Sequence, residues 1–63
     1  MLTEERFSKI LSILEDMGSV TVQQLMTELD ASESTIRRDL TALDARGQLI
    51  KVHGGAIIKN TVF

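Results

Sequence analysis

The chain has no cysteine, which excludes a disulfide framework and any thiolate metal site. It has one histidine, His53, so a zinc or catalytic cluster lacks a second imidazole. Aromatic residues are limited to Phe7 and Phe63, and the core must therefore be aliphatic. No apolar run reaches the length of a membrane span, and the opening T-E-E-R stretch lacks the basic-then-apolar pattern of a signal peptide. Both point to a cytoplasmic chain with no membrane contact. No nucleophile–base pair, phosphate-cradling glycine loop ahead of a helix or metal-ligand cluster is present. The residues thus predict no enzyme, no catalytic or metal site and no cofactor in this domain.

What is present suffices for one small fold. Sixty-three residues lie near the lower limit for a self-sufficient core, and an apolar share of 43% makes a compact domain feasible. Net charge is −2, which as a bulk number argues against nucleic acid. Its distribution argues otherwise. Residues 1–30 carry six acids against two bases, whereas residues 31–63 carry five bases against three acids.

Hydrophobic spacing predicts three helices and a hairpin. Thr3 is placed to cap a first helix with Glu4 and Glu5 in its first turn. Phe7, Ile10, Leu11, Leu14 and Met17 form its core stripe, and Gly18 ends it. Ser19-Val20 reads as a short extended piece. Thr21 and Gln24 have the form of a capping box for a second helix from about Val22 to Leu29. Only Asp30 and Ala31 separate it from the next helix, so the two must cross steeply, with Asp30 in the left-handed region. Ser32 caps a third helix, 33–46, that Gly47 stops. Ile36, Leu40 and Leu43 form its narrow core stripe; Ser34, Arg38 and Thr41 lie on the far side, with Arg37 on the flank. Residues 48–53 and 56–59 then alternate like strands about Gly54-Gly55, a loop suited to a type I′ turn. That register pairs Val52 with Ile57, turns Ile50, Val52 and Ile57 toward the helices, and puts Lys51 and His53 on the other side. The fold class is mainly α with a small β-hairpin: a winged helix-turn-helix over residues 1–59, with 60–63 as the start of a linker.

Arg6, Ile10 and Leu14, then Ser32-x-x-Thr35-Ile36-Arg37-Arg38-Asp39-Leu40, are similar in type and spacing to the signature of the DeoR-type bacterial regulators of sugar metabolism. Leu49-x-Lys51-Val52-His53-Gly54-Gly55-Ala56 resembles a second hallmark of their N-terminal DNA-binding domain. The resemblance implies a transcription regulator, usually a repressor of a carbohydrate operon, whose partner is a double-stranded DNA operator. It also implies a C-terminal domain, absent from this sequence, that senses a phosphorylated sugar and makes the full-length protein a homo-oligomer. Two positions depart from the pattern. Met26 stands where a small residue is common, and Lys51 stands where the family often has Arg, a point charge in place of a bidentate fork.

On this reading the third helix enters the major groove. Ser34, Thr35 and Arg38 face base edges, Thr41 shares their face, and Arg37 reaches a phosphate. Ser32 caps the helix and touches the backbone. From the wing, Lys51, His53 and the amides of Gly54 and Gly55 meet phosphate or the minor groove. Thr21 and Gln23 offer a hydroxyl and an amide at the start of the second helix. Asp39, an acid beside a basic face, is expected to be structural, pairing with a basic residue or a backbone donor. The plain alternative for Arg37 and Arg38 is a solvated pair of charges held by Glu33 or Asp39. The rival function is a winged-helix protein-interaction module, favoured by the acidic first half and opposed by Arg37-Arg38.

Overall fold

The computed structural model describes residues 1–59; the expected linker at 60–63 lies outside the described residues. Six elements follow in order: α1 (Thr3–Met17), β1 (Ser19–Thr21), α2 (Val22–Leu29), α3 (Glu33–Ala45), β2 (Leu49–Val52) and β3 (Gly55–Ile58). They form a winged helix-turn-helix. Among the described residues no helix is long and apolar enough to cross a membrane.

The helix ends follow local chemistry. At α2 the Thr21 hydroxyl accepts the Gln24 N–H at 3.0 Å while Gln24 Oε1 accepts the Thr21 N–H at 2.8 Å, a reciprocal capping box. Asp30 then turns the chain at φ 51°, left-handed as its short side chain permits. At the end of α3, Gln48 N–H donates to the Leu43 carbonyl and Gly47 N–H to that of Asp44, with Gly47 at φ 76°. That is a Schellman stop. One cap differs from expectation. Thr3 is already helical, and Glu5 accepts the Leu2 N–H at 3.0 Å, so Leu2 holds the cap position.

Phe7, Ile10 and Leu14 of α1 pack with Val22, Leu25 and Leu29 of α2 and Ile36, Leu40 and Leu43 of α3. Each fully buried aliphatic side chain contributes roughly 1.5–3 kcal/mol. Met26 is half-buried and packs on this core, so the long side chain is accommodated. Met17 is not in it. It is 57% exposed, in the last turn and about 60° round the helix from the middle of the buried α1 stripe.

The sheet corrects the expected register. It has three antiparallel strands in the order β1-β3-β2, because Ser19–Thr21 adds an edge strand to the hairpin. Val52 pairs with Gly55, Lys51 with Ala56 and Ile50 with Ile57. The two-residue loop is therefore His53-Gly54. Only Gly54 of these two has a positive φ, 81°, so the turn is not type I′, which needs it at both positions. Moving the loop by one residue shifts each partner by two, which keeps Ile50, Val52 and Ile57 together on one face. That face is the outer one and not, as expected, the one toward the helices. Leu49, Ala56 and Val20 are buried against the helices, while Ile50 and Val52 of β2 and Ile57 of β3 are more than a third exposed on the outer face.

Gly55 explains the slip. A Cβ there would lie 2.1 Å from the Val20 carbonyl oxygen and 3.0 Å from Thr21 Cα. β1 approaches β3 so closely that only glycine fits in the strand opposite Thr21. Flanking bonds, Val22 N–H to the Gly54 carbonyl and Ile58 N–H to the Gly18 carbonyl, both 2.9 Å, tie α2 and α1 to the hairpin.

Candidate nucleic-acid interface

The start of α3 is a cluster of hydroxyls. Ser32 Oγ accepts the Thr35 N–H at 3.3 Å, donates to Thr35 Oγ1 at 2.9 Å and lies 3.3 Å from Ser34 Oγ. The cap thus spends Ser32 largely on its own helix. Ser34 stays exposed, and Thr35 is half-buried. All three sit at the N-terminal end of the helix, where unpaired backbone N–H groups and the dipole favour an anion.

Along the outer face of α3, Arg38 is exposed and, among the described residues, makes no hydrogen bond or ion pair. Arg37 donates from Nε to Glu33 Oε2 at 2.7 Å, an exposed i,i+4 pair. Such a pair is worth at most a few tenths of a kcal/mol, so a phosphate can compete for the guanidinium. Glu33 thus holds Arg37, while among the described residues neither Glu33 nor Asp39 pairs with Arg38. Thr41 is exposed, and its hydroxyl donates to the Arg37 carbonyl at 2.9 Å, leaving only acceptor capacity toward a ligand.

Asp39 is 4% exposed and does not face outward with the arginines. Both its oxygens are held by one guanidinium: Arg6 Nε donates to Oδ2, and Arg6 Nη2 donates to Oδ1 at 3.0 Å. The hydrogen bond to Asp39 holds the Arg6 pKa above its ordinary value, against a smaller opposing effect of burial. The fork joins the first turn of α1 to the middle of α3. A second cross-link lies at the helix end, where the Arg46 guanidinium sits 4.9 Å from the Phe7 ring centroid and reaches Glu4 at 3.3 Å.

The wing completes the face. Lys51 shares its face with the buried Leu49 and Ala56, so it leaves the sheet on the helix side, and its N–H lies 3.5 Å from Asp44 Oδ1 of α3. Arg37, Lys51, Val52, His53 and Gly54 line one open concavity of about 270 Å³ between α3 and the wing. It has a guanidinium, an amine and an imidazole side chain on its walls, and Gly54 brings the backbone to its rim. Sequence alternation puts Lys51 and His53 on the face away from the helices; the structure has both lining one concavity with Arg37.

The remaining predicted residues divide. Thr21 stands opposite Gly55, beside this wing loop, with its hydroxyl committed to the α2 cap. Gly55 is buried under Val20 and Thr21, so its expected role as a phosphate donor gives way to strand packing. Gln23 is elsewhere. It lines a groove of about 500 Å³ between α1 and α2 with Ile13, Asp16, Met17, Thr27 and Glu28. Two acids there make it a poor phosphate site. Sequence reading places Arg6 in the family signature without a partner and passes over Asp44; Arg6 ties α1 to α3, and Asp44 ties α3 to the wing. Spacing alone gives no signal for either, because their partners are 33 and 7 residues away.

Residues 6–62 match the model of the DeoR-like helix-turn-helix domain. The chain is 52% identical over 56 residues to a Bacillus subtilis protein named as an uncharacterized HTH-type transcriptional regulator FruR. It is 46% identical over 56 residues to a lactose phosphotransferase system repressor of Lactococcus lactis. These alignments cover 89% of this chain and 22% of each relative. A putative galactitol utilization operon repressor of Escherichia coli is 44% identical over 52 residues, covering 82% of this chain and 46% of that protein. The chain thus spans about a fifth to a half of the length of these relatives. No solved structure matches. With its helix-turn-helix and wing both in place, the chain belongs to the DeoR-like helix-turn-helix domain family.

Proposed function

We propose that this domain binds duplex DNA sequence-specifically, with α3 in the major groove and the wing loop on the adjacent backbone. The observation that carries it is the concavity shared by Arg37 of α3 with Lys51, His53 and Gly54 of the wing, beside Arg38, which is exposed and has no ion-pair partner among the described residues. Ser34, Thr35 and Arg38 read base edges, and Thr41 borders them. Ser32, Arg37, Lys51, His53 and Gly54 hold the backbone, with Thr21 at the edge of this set. Arg38 can grip guanine O6 and N7 together, which discriminates by roughly 1–3 kcal/mol.

The longer protein is a cytoplasmic transcription regulator and not an enzyme. It is a repressor of a carbohydrate-metabolism operon, as the names of its relatives suggest. A phosphorylated sugar acts through a separate effector domain, which also makes the protein a homo-oligomer. Two domains on neighbouring half-sites would supply the affinity that one small module lacks.

Fluorescence-anisotropy titration with random duplex DNA at low and moderate salt tests the reading. Neutralising about 4–6 phosphates gives a log–log salt slope near −4 to −5. Arg37→Ala and Arg38→Ala should each weaken binding. A folded domain that binds no duplex at low salt would refute it and favour the protein-interaction module.

A further inference from the structure

We propose that Arg6 is a positioning residue for DNA recognition: its buried fork on Asp39 sets the rotation of α3 and so the aim of its base-reading side chains. The inference rests on the DNA-binding reading and goes beyond it, since Arg6 lies on α1 and points inward. The Arg6 side chain is 15% exposed and that of Asp39 5%. Both carboxylate oxygens are used, through two different guanidinium nitrogens.

Ile36, Leu40 and Leu43 hold α3 on the core, but aliphatic contact is non-directional and tolerates a helix turning about its own axis. A bidentate guanidinium–carboxylate pair does not, because two parallel hydrogen bonds specify direction as well as distance. The geometry at stake is small. Turning a helix by ~15° sweeps a side-chain tip ~6 Å from the axis through about 1.5 Å. Base-edge hydrogen bonds need placement within about 0.5 Å. Asp39 directly follows Arg38, so a turn about α3 that disturbs one displaces the other. Burial by Arg6 also keeps the carboxylate off the phosphate-facing surface.

Replacing a buried ion pair by apolar residues of similar volume usually leaves a protein folded, which separates positioning from stability. The test uses wild type and the double variant Arg6→Met/Asp39→Leu. Both are titrated with random duplex and with a duplex selected by the wild-type domain from a randomised library. The double variant should fold by circular dichroism and bind random duplex within about threefold of wild type. Its salt slope should be unchanged within about one, since no phosphate contact is lost. Its preference for the selected duplex over random DNA should fall about tenfold or more. An undiminished preference in the folded double variant overturns the proposal while leaving DNA binding intact. If that variant does not fold, Arg6→Gln decides, since it keeps a donor for Asp39 and loses the fork. Its preference should fall at least about threefold, and an unchanged one overturns the proposal. Wild type that binds no duplex, or selects none, removes the reading on which the proposal stands.

Discussion

Alanine substitutions at Gly55 and at Gly54, adjacent positions in one hairpin, should have very different effects. A Cβ added at Gly55 would meet the Val20 carbonyl oxygen at 2.1 Å, where about 3.4 Å is an ordinary contact. The obstacle is backbone, so β1 and β3 must separate by about 1.3 Å or the hairpin must shift. Overpacking of this kind costs about 1–3 kcal/mol. Separation also stretches the 2.9 Å bonds from Val22 N–H to Gly54 and from Ile58 N–H to Gly18, each worth about 1 kcal/mol. The total is about 3 kcal/mol or more. A domain of this length holds roughly 3–9 kcal/mol, so most of its stability can go. At ~4–8 °C per kcal/mol, the melting temperature falls by at least about 12 °C. At Gly54 a Cβ meets nothing within 4 Å, and the cost is confined to the left-handed φ of 81°, about 1–2 kcal/mol. Urea and thermal unfolding of both variants by circular dichroism measure the contrast. Gly55→Ala losing no more stability than Gly54→Ala would refute the packing explanation and restore the view of both glycines as loop residues.

Other perturbations have expected outcomes of their own. Arg6→Ala leaves Asp39 buried without its partner and should cost about 3 kcal/mol in urea unfolding; a loss under about 0.5 kcal/mol would mean the carboxylate is resolvated. The Arg6 pKa is raised on folding, so its contribution is complete below its unfolded value and is lost only as pH rises through the folded one. On Arg6's account, the stability difference between wild type and Arg6→Ala should therefore be the same at about pH 7 and about pH 9. Ser32→Ala should cost about 1 kcal/mol through the lost α3 cap, read by thermal melting. Lys51→Ala should reduce the salt slope of DNA binding by about one and leave base preference unchanged. An unaltered slope would take Lys51 out of the phosphate-contacting set.

Sequence was most informative where structure is local. Thr21 with Gln24, Ser32 with Thr35, Asp30 in the left-handed turn and Gly47 after α3 all act within about four residues, so the ends of α2 and α3 were legible without a fold. Periodicity likewise marked Ile36, Leu40 and Leu43 as buried and Ser34, Arg38 and Thr41 as outward. The same period misplaced Met17, because a stripe does not tell where the packing partner ends.

The hairpin and the braces of α3 needed tertiary contact. Two adjacent glycines allow the loop to be Gly54-Gly55 or His53-Gly54, and local preference favours the first. The close approach of the Val20 carbonyl decides for the second, since only there does Gly55 lie in a strand against β1. The packing of Leu49 and Ala56 on the helices then puts Lys51, on their face, toward α3 and leaves Ile50 and Val52 exposed. The partner of Asp39 was equally beyond local reading. A buried carboxylate demands a cation, but whether Arg6, Arg37 or Arg38 supplies it depends on how α1 crosses α3. Sequence by itself determined the three helices, the caps of α2 and α3 and which residues point outward on α3. Tertiary structure decided the strand register and the ion-pair partners, because both are set by groups distant along the chain whose contact exists only once the core has formed.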